Sequence, residues 1–169
     1  MRFGKTAWVL LMVLILGIPV AVGAQTPAQS PAPAAAPEVI PEAEIRQVLD
    51  QYIDRFKAMD LDLFMDVFSK QAIENRMLPY ADMREEYDRM FKNTNQVLYH
   101  LNVWAIQSYT NSASVSGRYE IIQTTKPKNE MKIFKGNIQM ELVREEGALK
   151  ILRLNYGNPI EEKKFWTFL

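Results

Sequence analysis

Four tyrosines and a single histidine are the side chains here that could do chemistry. Tyr52, Tyr87, Tyr99 and Tyr119 each fall on the apolar side of a helical or strand repeat. A phenol in such a place is core bulk and hydrogen-bond donor at once. Two readings stay open. Either the tyrosines fill a core and their hydroxyls reach water or backbone at its rim, or they line a pocket and offer donors to a ligand. No acid shares their side in the long strands, because Glu120 and Glu141 fall on the outward parity. Histidine is a common general acid–base side chain, and His100 is the one histidine of the sequence. It lies on the parity of Asn102 and Trp104, away from the helix-facing set, with no carboxylate two residues off. It reads as an interface residue on the outer sheet face more readily than as a base. Asn75 and Arg76 fall in an irregular connector, where an arginine can meet a ligand carboxylate at a pocket mouth or simply sit on the surface.

Other chemistries are poorly provided for. The chain has no cysteine, which removes disulfides, thiol catalysis and thiolate zinc sites. One histidine is too few for a metal site built on imidazoles, so neither metal nor cofactor is expected. There is no Gly-rich phosphate loop, nucleophile elbow or paired-histidine helix. A formal charge of zero gives no basic surplus for a nucleic-acid partner.

The elements that would position these residues come in a clear order. Residues 1–24 read as an export signal: Arg2 and Lys5 lead an apolar run, and Val22-Gly23-Ala24 offers small residues for cleavage. An uncleaved anchor is the alternative, against which the run is short. After cleavage no stable membrane insertion is expected, and the location is periplasmic or secreted. Residues 25–41 form a Pro/Ala-rich linker. From Glu42 to about Met59, Ile45, Val48, Leu49, Tyr52 and Phe56 mark an amphipathic helix. A short helix follows near Asp60. A third, capped by Asp82, turns Met83, Tyr87, Met90 and Phe91 to one face, with Arg84–Asp88 and Glu85–Arg89 as surface pairs.

From Gln96 the period changes to two. Val97, Tyr99, Leu101, Val103 and Ala105 form one side of a strand; Leu98, His100, Asn102, Trp104 and Ile106 form the other. Ala113, Val115, Gly117, Tyr119 and Ile121 face inward on the next. Phe134, Ile138, Met140 and Leu142 do so on a third, and Glu145-Glu146-Gly147 turns the chain into Leu149–Leu154, apolar on both parities. Residues 158–169 form an aromatic tail with Phe165, Trp166 and Phe168. Helices first and antiparallel strands after predict an α+β domain over 42–157, with the helices covering the apolar face of a curling sheet.

The helix stripe with Tyr52 and Phe56, the break MDLDLFMDVFS (Met59 to Ser69), the strand start Ala113-Ser114-Val115 and the closing EEGALKILRL (Glu145 to Leu154) together resemble the nuclear-transport-factor-2-like (NTF2-like) superfamily, in its SnoaL-like branch. Where many members carry Trp before the Lys-Ile of the last strand, this chain has Leu149. The resemblance implies a cystatin-like cone or roll, with helices packed on a strongly curved antiparallel sheet. It also implies frequent dimers through that sheet and a pocket that some relatives use catalytically.

On that basis the pocket candidates are Tyr52, Phe56, Tyr87, Tyr99, Tyr119 and Met140. The candidates for a homodimer interface on the outer face are His100, Trp104 and Ile106, with Leu98, Ile122, Leu149 and Ile151 as further apolar members. The tail is a competing cover for that face. The leading functional expectation is an exported module that binds a small apolar or amphipathic ligand or pairs with itself. The alternative is a SnoaL- or ketosteroid-isomerase-like isomerase, dehydratase or cyclase, which needs a desolvated carboxylate beside hydroxyl donors. A carboxylate or histidine facing the cavity separates the two.

Overall fold

α1 (Glu42–Ala58) owes its place to one stripe: Ile45, Val48, Leu49, Tyr52 and Phe56 recur at helical spacing and are all buried. Glu42 and Glu44 in its first turn and Arg55 and Lys57 in its last suit the helix dipole. The computed structural model describes residues 39–157 together with the backbone of 160–164. The expected signal segment, most of the linker and the aromatic residues of the tail lie outside the described residues.

Met59 closes α1 in the left-handed region, with φ 53°, and Asp60 caps α2 (Leu61–Met65) by accepting from the Leu63 N–H at 3.1 Å. β1 (Phe68–Glu74) and the two-residue β2 (Leu78–Pro79) form a small hairpin. α3 (Tyr80–Lys92) begins two residues before the expected cap. Pro79 takes the N-cap position, and Asp82 lies within the first turn, where its charge still favours the helix N-terminus. The expected pairs on its wet face are replaced: Arg84 reaches Asp62 of α2, Arg89 pairs with Glu86, and Lys92 with Asp88.

Four long strands follow: β3 (Thr94–Ser108), β4 (Ser112–Thr125), β5 (Glu130–Glu145) and β6 (Ala148–Tyr156). The β5–β6 turn places Glu146 and Gly147 at φ 51° and 83°, the positive pair that a two-residue hairpin needs. β7 (Ile160–Lys164), in the stretch expected to be tail, pairs antiparallel with β5 beyond the end of β6. The sheet runs β2-β1-β6-β5-β4-β3 and is open. It is mixed, which corrects the all-antiparallel expectation. β1 enters beside β6 and parallel to it, and the stretch from α3 to β5 supplies the long connection a parallel pair requires.

Two bulges also correct the reading of parity. In β3, Val103 pairs with Gly117 and Ala105 with Ser116, so Trp104 is the extra residue. Beyond it the faces exchange: Ile106 lies opposite Val115 and packs against the core, while Ala105 points out. In β6, Leu142 pairs with Ile151 and Glu141 with Arg153, leaving Leu152 as the extra residue. Leu149 and Ile151 before it and Leu154 after it are therefore all buried in the one core. A bulge, and not cover on both faces, explains why β6 is apolar on both parities.

That core lies between the sheet and the stripes of α1 and α3, with Phe64 and Met65 of α2 sealing one end. Ile40, counted with the linker above, belongs to it: it is 2% exposed, and its N–H donates to the Tyr109 carbonyl at 3.0 Å. Among the described residues no helix is long and apolar enough to cross a membrane.

Candidate functional site

A cavity of about 360 Å³ opens between α3 and the sheet. Its walls are chiefly apolar, from Phe56, Met90, Phe91, Val97, Ile121 and Phe134. The polar groups on it fall into two sets: Glu74, Asn75, Tyr87, Tyr119 and Tyr156 form one, Thr94 and Gln123 the other.

Glu74 is the last residue of β1, and its carboxylate accepts a hydrogen bond from the Tyr87 hydroxyl of α3 at 2.8 Å. Burial pushes its pKa up, against the lowering effect of the Tyr87 hydrogen bond, and the charge of Glu86 pushes it up further. The next residue, Asn75, holds φ 49° and accepts from the Tyr156 N–H at 2.8 Å, which ties the end of β1 to the end of β6.

Behind this carboxylate the tyrosines join. The Tyr52 hydroxyl lies 2.5 Å from that of Tyr156 and 3.4 Å from that of Tyr99. Tyr156 also meets the Tyr119 ring edge to face at 4.9 Å between centroids. Gly136 leaves room for this: a Cβ there would stand 2.6 Å from the Gly157 carbonyl oxygen and 3.2 Å from the Tyr119 hydroxyl. Burial raises the pKa of Tyr52, Tyr87, Tyr99, Tyr119 and Tyr156 alike. All five are therefore proton donors across the physiological range.

The expected pocket residues thus divide. Phe56, Tyr87 and Tyr119 line the cavity. Tyr52 and Tyr99 stand one layer behind it, fully or nearly buried, and Tyr52 links them by its hydroxyl to Tyr156 on the cavity wall. Met140, 1% exposed, is core and does not line the cavity. Its inward parity is as expected, and it packs within the apolar core. Glu74 and Tyr156 were missed. A signal for Glu74 existed, since it shares the parity of Ala72, which is 1% exposed, but the connector gave no pairing from which to read a face. Strict alternation from Leu149 and Ile151 would turn Tyr156 outward; the β6 bulge at Leu152 brings it to the inward set.

His100 is exposed on the outer face, opposite Glu120. Trp104, 57% exposed, shares a second pocket with the polar side chains Arg76, Asn137, Gln139 and Asn155. Ile106 is not on that face, for the reason given above. Among the described residues no group of three His, Asp or Glu side chains converges as a metal set would.

No protein-family model matches the sequence, and no curated protein does. Solved structures do. An NTF2-like superfamily protein from Salmonella enterica superposes with a TM-score of 0.62 at 18% identity, covering 70% of this chain and 91% of that one. The chain has the NTF2-like fold. A ketosteroid isomerase-like protein from Erwinia carotovora superposes with a TM-score of 0.56 at 16% identity, over 67% of this chain and 92% of that one. A hexachlorocyclohexane dehydrochlorinase, LinA type 2, gives 0.58 at 9% identity, over 76% and 93%. Within the NTF2-like fold, the cavity described here lies between the third helix and the inner face of the sheet.

Proposed function

We propose that this domain is a proton-transfer enzyme acting on a small, largely apolar carbonyl compound, with Glu74 as the acid–base group. One observation carries the reading: a carboxylate with a raised pKa faces an apolar cavity and is held by a tyrosine hydroxyl. That is the feature set out above as separating catalysis from simple binding. It moves the balance from the binding module to the isomerase-like alternative. Two structural neighbours, named as isomerase-like and as a dehydrochlorinase, fit the same class of chemistry.

In this mechanism the Glu74 carboxylate removes a proton from the carbon next to the carbonyl. The electron pair moves to the carbonyl oxygen, which becomes an enolate. Tyr156 donates a hydrogen bond to that oxygen, and Tyr99 and Tyr52 align it from behind by donating in series. Glu74 then returns its proton to another carbon, which completes an isomerisation, or a leaving group departs from the enolate, which completes an elimination. Desolvation brings the Glu74 pKa closer to working pH, where a base is both ionised and strong. The apolar walls keep water from competing.

Deuterium uptake by 2-tetralone in D₂O, followed by NMR, is the test. Wild-type protein should accelerate exchange next to the carbonyl, and Glu74→Gln should lower that acceleration about 10²-fold or more. Equal rates in the two proteins would leave the domain as a binding module. The site of action is proposed to be outside the cytoplasm, on the strength of Arg2, Lys5 and the apolar run ending at Val22-Gly23-Ala24.

A further inference from the structure

We propose that Gln123 is a second recognition point in the cavity: its amide oxygen accepts a hydrogen bond from a hydroxyl or N–H at the end of the ligand remote from Glu74. The inference rests on the reading that the cavity takes a small apolar substrate, and it narrows that substrate to one carrying a donor opposite its carbonyl.

Two hydrogen bonds orient the Gln123 amide. Thr94 Oγ donates its one proton to the Met90 carbonyl at 2.7 Å. It can then only accept from Gln123, whose group at 2.5 Å must be the NH₂. The amide oxygen is thereby turned to the other side. There it has no partner among the described residues, although Gln123 as a whole is only 8% exposed. No side-chain nitrogen or oxygen among the described residues is both buried and unpartnered, so this oxygen is accessible, and the cavity is the space that Gln123 lines. Thr94 and the last turn of α3 thus hold an acceptor in place and leave its lone pairs to whatever occupies the cavity.

The strand register gives the spacing. Tyr119 and Gln123 share the inner face of β4, four residues apart, which is roughly 13 Å along a strand. Tyr119 meets Tyr156 at the end of the cavity where Tyr87 holds Glu74. Ile121 and Phe134 stand opposite each other in the register between the two ends, and Val97 lies opposite Gln123. The matching ligand is a flat one- or two-ring body with a carbonyl at the Tyr156 end and a hydroxyl or N–H at the Gln123 end. A ligand lacking that donor leaves a desolvated amide oxygen unpaired, which costs about tenfold in affinity.

The test is calorimetric titration of the full domain with 2-naphthol and with 2-methoxynaphthalene, which keeps the rings and removes the donor. Wild-type protein should favour the naphthol about tenfold. Gln123→Leu should bring the ratio close to one while still binding the methoxy compound. Gln123→Met, closer in shape, should do the same if the leucine variant folds poorly. Glu74→Gln should keep the tenfold preference. Failure of either compound to bind wild-type protein overturns the inference, as does a preference that survives both Gln123 substitutions. A preference that disappears in Glu74→Gln instead would place the hydroxyl at the wrong end and also overturn it. The acid–base reading fails separately, by unchanged 2-tetralone exchange in Glu74→Gln.

Discussion

Glu74 is an ionisable group placed where ionisation is penalised, and its effect on stability has a definite sign. Burial holds its folded pKa above the ordinary value, so folding favours the protonated form. That contribution is complete below the unfolded value of about 4.3 and is lost as pH rises through the raised folded value. Glutamine cannot ionise and can still accept from Tyr87. Glu74→Gln should therefore melt close to wild type near pH 4 and a few degrees above it at pH 8, with the gap opening between. A gap that stays constant or narrows with rising pH would remove the desolvated carboxylate from the account. The residue scale is also where the sequence was least legible. Tyr87 and Tyr119 stood out because an aromatic on an apolar parity is conspicuous. Glu74, the one carboxylate among the cavity-lining residues, sat in a connector with no pattern around it.

At the scale of elements, most of the fold could be read from periodicity. The stripe of α1, the face of α3 and the inward sets of β4 and β5 are as expected. Readings went wrong where an extra residue slips a strand by one. Trp104 and Leu152 each reverse the parity after them, which moved Ile106 from the expected interface into the core and brought Tyr156 to the cavity. A bulge has no strong sequence signature, whereas the alternation it breaks does, so the error is confined to the far side of each one. A tie between elements that periodicity cannot show is the paired contact of Arg144 on β5 with Glu44 on α1, at 2.9 and 2.8 Å. The Arg144 hydrogen bond lowers the Glu44 pKa against a smaller effect of burial. Its stabilisation is present above the unfolded pKa and lost as pH falls through the lowered folded one. Glu44→Gln should cost about 0.5–1 kcal/mol at pH 7 in urea titrations, and the cost should vanish in acid below that folded pKa. An equal cost at both ends of the range would mean that packing, and not charge, is what the substitution removes.

For the molecule as a whole, two expectations concern where it works and with what. Export is proposed from the first 24 residues. Protein secreted by a host that processes the signal should begin at Gln25 on N-terminal sequencing, and a mature form that keeps Met1 to Val22 would contradict this. A homodimer through the outer sheet face is proposed with Trp104 as its anchor. Its apolar support is narrower than the sequence suggested, since Ile106, Leu149 and Ile151 are core residues, leaving Leu98 at 45% and Trp104 at 57% exposure as the large exposed apolar groups there. Trp104→Glu should convert the dimer to a folded monomer in analytical ultracentrifugation, and a wild type already monomeric at about 100 µM, well above the micromolar range of weak association, would end the idea.

The central claim is that Glu74 transfers protons within the apolar cavity, and the pH dependence of 2-tetralone exchange tests it most directly when wild type is compared with Tyr87→Phe. In wild type the rate should rise with pH around a midpoint above the ordinary glutamate range. The Tyr87 hydroxyl donates to Glu74 and lowers its pKa, so removing that hydroxyl should shift the midpoint upward. A rate independent of pH, or a midpoint unmoved by Tyr87→Phe, would contradict the assignment of Glu74 as the base.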